Sequence, residues 1–167
     1  MIRVGYRGMK NGEIKEDACA KYNLQEASKN GLKIGAYFFS TAVTEEEAKE
    51  EAEWTKNLLS GYPVTYPVAY NCEGFQNPSS RQFELSVEER TKLADAFLKS
   101  IEEGSYTGMF YAAKNELDDN NLWNADDLSL NYRILGCTVL GSDMAGKTKS
   151  DYTGDHVCGS YNQSGKL

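Results

Sequence analysis

No run of this sequence approaches the ~18 consecutive apolar residues of a membrane span. Its N-terminus also lacks the charged-then-apolar pattern of a cleaved signal. "IRVGY" comes directly after Met1 and reads as a strand, so the chain is expected to be either cytosolic or exported without a leader visible here. Lysine and arginine number 18 against 25 acids that are spread along the chain, for a net charge of −7. Nucleic acid and anionic membrane are therefore poor partners, because phosphate contacts need grouped cations. Four cysteines are present, Cys19, Cys72, Cys137 and Cys158, and none forms a C-x-x-C pair. That spacing argues against a zinc site, gives no disulfide pairing, and leaves free thiols as the simplest reading. No metal and no cofactor is expected. A single histidine, His156, leaves little for a Cys72–His156 hydrolase, and the Cys72 thiol would point into the helix layer, away from Glu73.

What is present has the composition of an ordered chain. Forty per cent of the 167 residues are apolar and no tract is of low complexity, so one domain over 1–167 is expected. A chain of this length buries roughly 70% of the surface it exposes when unfolded.

Strand and helix signals alternate along it. β-like runs lie at 2–6, 33–39, 66–71, 107–113 and 132–140. "KEDACAKYNLQEASKNG" (15–31) reads as a helix closed by Asn30-Gly31. Thr44 with Glu47 and Ser86 with Glu89 are capping-box pairs opening two further helices. The first would bury Ala48, Ala52, Thr55, Leu58 and Leu59, the second Leu93, Ala94, Phe97, Leu98 and Ile101. Strand starts spaced as βαβ units predict an α/β fold with a mostly parallel sheet. Beyond residue 140 the sequence is rich in Gly, Ser, Asp and Thr and reads as loops, with one short strand near His156 to Tyr161.

In such sheets function collects at the carboxyl ends of the strands. Those ends offer Tyr6 and Arg7, then Tyr37, Phe39 and Ser40, then Asn71 and Glu73, then Tyr111 and Asn115. One carboxylate ringed by aromatics and amides suits a glycan, since aromatic faces stack on sugars and amides bond hydroxyls; the same aromatics also suit a strand core. A different motif, "GSDMAGKT" (Gly141–Thr148), fits the G-x-x-x-x-G-K-[ST] phosphate loop. The next segment, "KSDYTGDHVCGSY", has no apolar period, so no helix is expected to aim amides at a phosphate and nucleotide binding is not expected.

"IRVGYRG", "GAYFFSTAVTEEEAKEEAEW", "TYPVAYNCEGF" and "LSVEERTKLADAFLKSIEEGSYTGMFYAAKNEL" together resemble the catalytic domain of family 25 glycoside hydrolases, the Chalaropsis-type lysozymes, over residues 1–134. The resemblance implies an irregular (β/α) TIM-like barrel. It also implies action on bacterial peptidoglycan, at the bond between N-acetylmuramic acid and N-acetylglucosamine, and an extracellular or cell-wall location. It makes Glu73 the general acid, in a neighbourhood expected to be partly desolvated so that its pKa rises. Asn71 stands where the family has an aspartate, and positions i and i+2 on a strand share one face. Tyr6, Tyr37, Phe39, Tyr111 and Asn115 become the substrate-binding set.

The family's first strand, with its Gly-Ile-Asp, has no counterpart here. Leu135, Gly136, Cys158 and Gly159 fall where the family has tryptophan and a Val-Asp. An amide cannot supply the negative charge that an oxocarbenium-like transition state favours, so impaired turnover is expected. The alternative is a pseudoenzyme that binds cell-wall glycan or a protein. With the first strand absent, "IRVGY" is expected to lie at an exposed sheet edge and to pair with a second copy as a homodimer.

Overall fold

Alternating apolar positions make the strands, and three amphipathic segments fold back over one face of the sheet they form. The computed structural model describes residues 1–117 and 122–137, together with the backbone of 158–161. Parallel strands β1 (Ile2–Arg7), β3 (Ile34–Phe39), β4 (Val64–Asn71), β5 (Gly108–Ala113) and β6 (Arg133–Cys137) are flanked by antiparallel β2 (Ile14–Glu16) and β7 (Cys158–Tyr161). The order across the sheet is β2-β1-β3-β4-β5-β6-β7. This is the α/β class read from the spacing, with a mostly parallel sheet.

Helices α1 (Ala20–Lys29), α2 (Glu45–Leu59) and α3 (Val87–Glu103) serve as the crossovers. Short helices α4 (Lys114–Leu117) and α5 (Ala125–Asn131) lie between β5 and β6. Phe38, Tyr70, Phe110 and Ile134 are register partners across four strands and all are buried. Against that row lies Phe97 of α3, with ring centroids 6.2 Å from Phe38 and 5.3 Å from Tyr70. Each fully buried side chain of this size contributes about 2 kcal/mol. All five core positions expected on α3 are buried.

The capping pairs behave differently. Ser86 and Glu89 form the full reciprocal box. The Thr44 hydroxyl accepts from the Glu47 N–H, but the Glu47 carboxylate takes the Val43 N–H and an Arg81 N–H instead of completing a box. On α2 Ala48, Ala52, Thr55 and Leu59 are buried as expected, Leu58 is only half-buried, and the stripe includes a residue that was not expected there, Glu51. Gly5 is required by close packing: a Cβ there would come within 2.6 Å of the Trp54 ring on α2.

Two expectations are corrected at the start of the chain. The helix expected over 15–31 begins only at Ala20, because Ile14–Glu16 pairs with β1. That pairing, Gly5 with Glu16, Tyr6 with Lys15 and Arg7 with Ile14, is extended by the Asp17 N–H to the Val4 carbonyl. The edge of β1 is thus occupied from Val4 to Arg7, and a homodimer through an open "IRVGY" edge loses its premise. Gly141–Thr148 and His156 lie outside the described residues. Cys19 is an exposed free thiol, and Cys72 and Cys137 are buried free thiols. No helix among the described residues is long and apolar enough to cross a membrane.

Candidate active site

Parallel register carries side chains of one parity in rows across the face away from the helices. The upper row is Tyr6, Phe39, Asn71, Tyr111 and Leu135. Below it runs a row of Arg3, Tyr37, Ala69, Met109 and Arg133. Arg3 joins Tyr6 on this face because the register slips between Arg3 and Gly5, and its guanidinium lies 5.9 Å from the Tyr6 ring.

A cleft of about 300 Å³ opens on these rows, with Asn71, Glu73, Tyr37 and Tyr111 in its wall. Ala69, Met109, Leu135 and Met1 complete it. Four of the seven site residues expected from the sequence are therefore together. Tyr6 and Phe39 lie on the same row nearer the β1 edge, outside the cleft lining, and Asn115 is exposed on α4. Arg7 and Ser40 turn to the opposite face. The apolar member Met109 escaped the sequence reading, although parity with Tyr111 carried the signal, and Leu135 was noted only as a departure from the family.

Asn71 is only 8% exposed. Its backbone carbonyl accepts the Ser40 N–H at 2.8 Å, while its side-chain Oδ1 is buried with no hydrogen-bond partner among the described residues. A buried acceptor without a partner costs stability, so this amide is held in the cleft wall at the fold's expense. Glu73 sits past the strand end and is exposed, so the desolvation expected of it is not found.

Its loop is nevertheless anchored. Gly74 has φ +76°, a left-handed turn that a side chain strains, and the turn sends Phe75 into the core. Phe75 packs edge-on to Trp123 at 5.4 Å, Trp123 on Phe110 at 4.8 Å, and the Arg90 guanidinium lies 4.5 Å from the Phe75 ring. Arg90 donates to the carbonyls of Leu85 and Leu122. Gly74→Ala should cost about 1 kcal/mol in chemical denaturation, with a larger proportional loss of any activity because Glu73 is the preceding residue. Full activity with unchanged stability would show that the turn does not place Glu73.

A second carboxyl, missed in the sequence, stands near the first. Glu116 of α4 is half-buried, and burial raises its pKa, helped by the negative charge of Glu73. The Ala113 amide, the Trp123 indole and Arg90 oppose the rise. No well-formed hydrogen bond reaches Glu116 Oε2 or the Trp123 Nε1–H among the described residues. The Cys72 thiol donates to Gln82 Oε1 at 3.2 Å in the helix layer, as strand parity predicts, and burial pushes its pKa far up. Such a thiol is inert.

Behind the strand ends, Arg7 donates to Glu51 Oε1 and Glu50 Oε2, each at 2.7 Å, and to the Gly12 and Glu47 carbonyls. Burial pushes the Glu51 carboxyl up to about 7 from 4.5, against the opposing pull of Ser40 and Arg7. The unfolded chain therefore loses this proton first as pH rises. The stabilisation is complete below pH 4.5 and disappears through about 7. Denaturation series should show stability falling over that window, and Glu51→Gln should flatten the fall while Glu50 keeps Arg7 paired. A wild-type profile as flat as the variant's would refute this.

The fold and cleft place the molecule among α/β proteins with a carboxylate-bearing pocket at the strand ends. More particularly, the model of glycosyl hydrolases family 25 matches residues 4–130, and the chain belongs to that family. Its structure is similar to the modular autolysin LytC of Streptococcus pneumoniae, at 21% identity and TM-score 0.60, over 71% of this chain and 27% of that one. The same autolysin in complex with a synthetic peptidoglycan ligand gives a TM-score of 0.56 at 21% identity, over the same shares of both chains. The spore cortex lytic enzyme SleM of Clostridium perfringens is similar at 19% identity and TM-score 0.60, over 76% of this chain and 39% of that one. The chain thus spans well under half the length of these relatives. No curated protein sequence matches it closely enough to count as a relative.

Proposed function

We propose that this chain is a peptidoglycan-directed domain of the muramidase type, acting at the cell wall on the 1,4-β bond between N-acetylmuramic acid and N-acetylglucosamine. The observation that supports it most is the meeting of Glu73 and Asn71 in one aromatic-walled cleft at the strand ends of a family 25 chain. Glu73 donates its proton to the departing glycosidic oxygen. Asn71, beside Glu73 in the cleft wall, orients the sugar's acetamido group through its side-chain amide. Tyr37 and Tyr111 offer apolar faces to the sugar rings. Asn71 carries no charge to offset the cation that develops at the anomeric carbon, so turnover is slow.

A second reading has support from that same amide: a pseudoenzyme that binds the glycan without cutting it. Peptidoglycan suspensions separate the two. Loss of turbidity with release of reducing ends indicates an enzyme. Co-sedimentation with the wall material and no release indicates a binder. Neither cleavage nor co-sedimentation would overturn both readings.

A further inference from the structure

The chain has five arginines, and four are already engaged. Arg3 is paired with Asp17 at 2.7 Å, Arg7 with Glu50 and Glu51, and Arg81 with Glu47. Arg90 is spent on the Leu85 and Leu122 carbonyls and the Phe75 ring. Arg133 is the fifth. It is exposed, and among the described residues its side chain has no ion pair or hydrogen bond.

Its place is specific. Arg133 is the register partner of Met109 and lies two residues before Leu135 on β6, on the parity that faces the cleft. Relative to Asn71 it is two strand spacings across the sheet, about 10 Å, and two residues down it, about 7 Å. A sugar held at Asn71 and Glu73 can therefore project a substituent toward Arg133. The chain's charge of −7 repels anions as a whole, so an anionic ligand needs such a local cation.

We infer that Arg133 binds a carboxylate carried on the lactyl-peptide arm of the glycan. The inference rests on the peptidoglycan reading and narrows it: the cleft selects an acidic glycan over a neutral one of the same backbone. A guanidinium suits the task, since its planar fork matches a carboxylate with two parallel hydrogen bonds. The carboxylate can be that of the lactyl group itself or one on an attached peptide.

The test uses the full chain and the disaccharide N-acetylglucosaminyl-N-acetylmuramic acid, whose internal bond is not the one the proposed reaction cuts. Three forms are titrated by NMR or calorimetry: free lactyl acid, lactyl carboxamide, and lactyl-linked dipeptide acid. At least one acid form should bind about tenfold more tightly than the carboxamide, with the preference fading at high salt. Arg133→Gln should abolish that preference and leave carboxamide affinity unchanged, which also reports an intact fold. Arg133→Lys should keep part of it. Whichever acid shows the Arg133-dependent preference identifies the source of the carboxylate. Equal binding of acid and amide, or a preference that survives Arg133→Gln, overturns the inference and leaves the peptidoglycan reading standing. Binding of none of the three overturns both.

Discussion

Glu73→Gln should lower the rate of reducing-end release from peptidoglycan by about 100-fold or more. The amide has the volume of the acid and no proton to give, so the leaving oxygen would depart as an alkoxide. Glu73 is exposed and beyond the end of β4, so the exchange should leave the melting temperature unchanged. That combination, lost rate at constant stability, distinguishes a proton donor from a structural residue. Cleavage persisting at the unmutated rate would move the acid elsewhere, and Glu116, the half-buried neighbour that feels the Glu73 charge, would be the next candidate.

Asn71→Asp should raise turnover more than any other single change, on the order of tenfold or more, because a carboxylate at that position opposes the positive charge of the transition state. The gain has a cost that can be measured independently. Asn71 is 8% exposed and its Oδ1 has no partner among the described residues, so a carboxylate there is desolvated and its folded pKa lies above its unfolded one. The variant should match the parent's stability in acid and fall behind it as pH rises through the carboxyl range. An unchanged rate would mean that some other difference from the family, not the amide, limits the chemistry.

Much of this was open to a reading of the residues. β-like runs placed β1, β3, β4, β5 and β6 to within a few residues, and Gly31, at φ +66°, ends α1 where the Asn30-Gly31 signal put it. What escaped notice was set by contacts distant in sequence or by elements too short to show a period. Ile14–Glu16 looks like the first turn of a helix until β1 is beside it to pair with. The four residues of α4 and seven of α5 are too few for a 3.6-residue pattern to emerge. That Asn71 and Glu73 would share one cleft wall was legible because their spacing at the strand end is local. Asn115 falls outside the cleft lining because α4 begins immediately after β5 and leaves that residue exposed. The slip in β1 that puts Arg3 beside Tyr6 has no sequence signature, and neither does the burial of Glu51 against Arg7.

The stack under the Glu73 loop also makes the molecule its own optical sensor. Of the two tryptophans, Trp54 is half-buried on α2 against Phe38, while Trp123 is fully buried with Phe75, Phe110 and the Arg90 guanidinium around it. Indole emission responds to nearby charge and to ring packing, and Phe75 is two residues from Glu73. A ligand whose binding moves Phe75 against Trp123 changes the intrinsic fluorescence. Such a movement can be followed in a cuvette without a label, with Trp54→Phe leaving a single reporter indole.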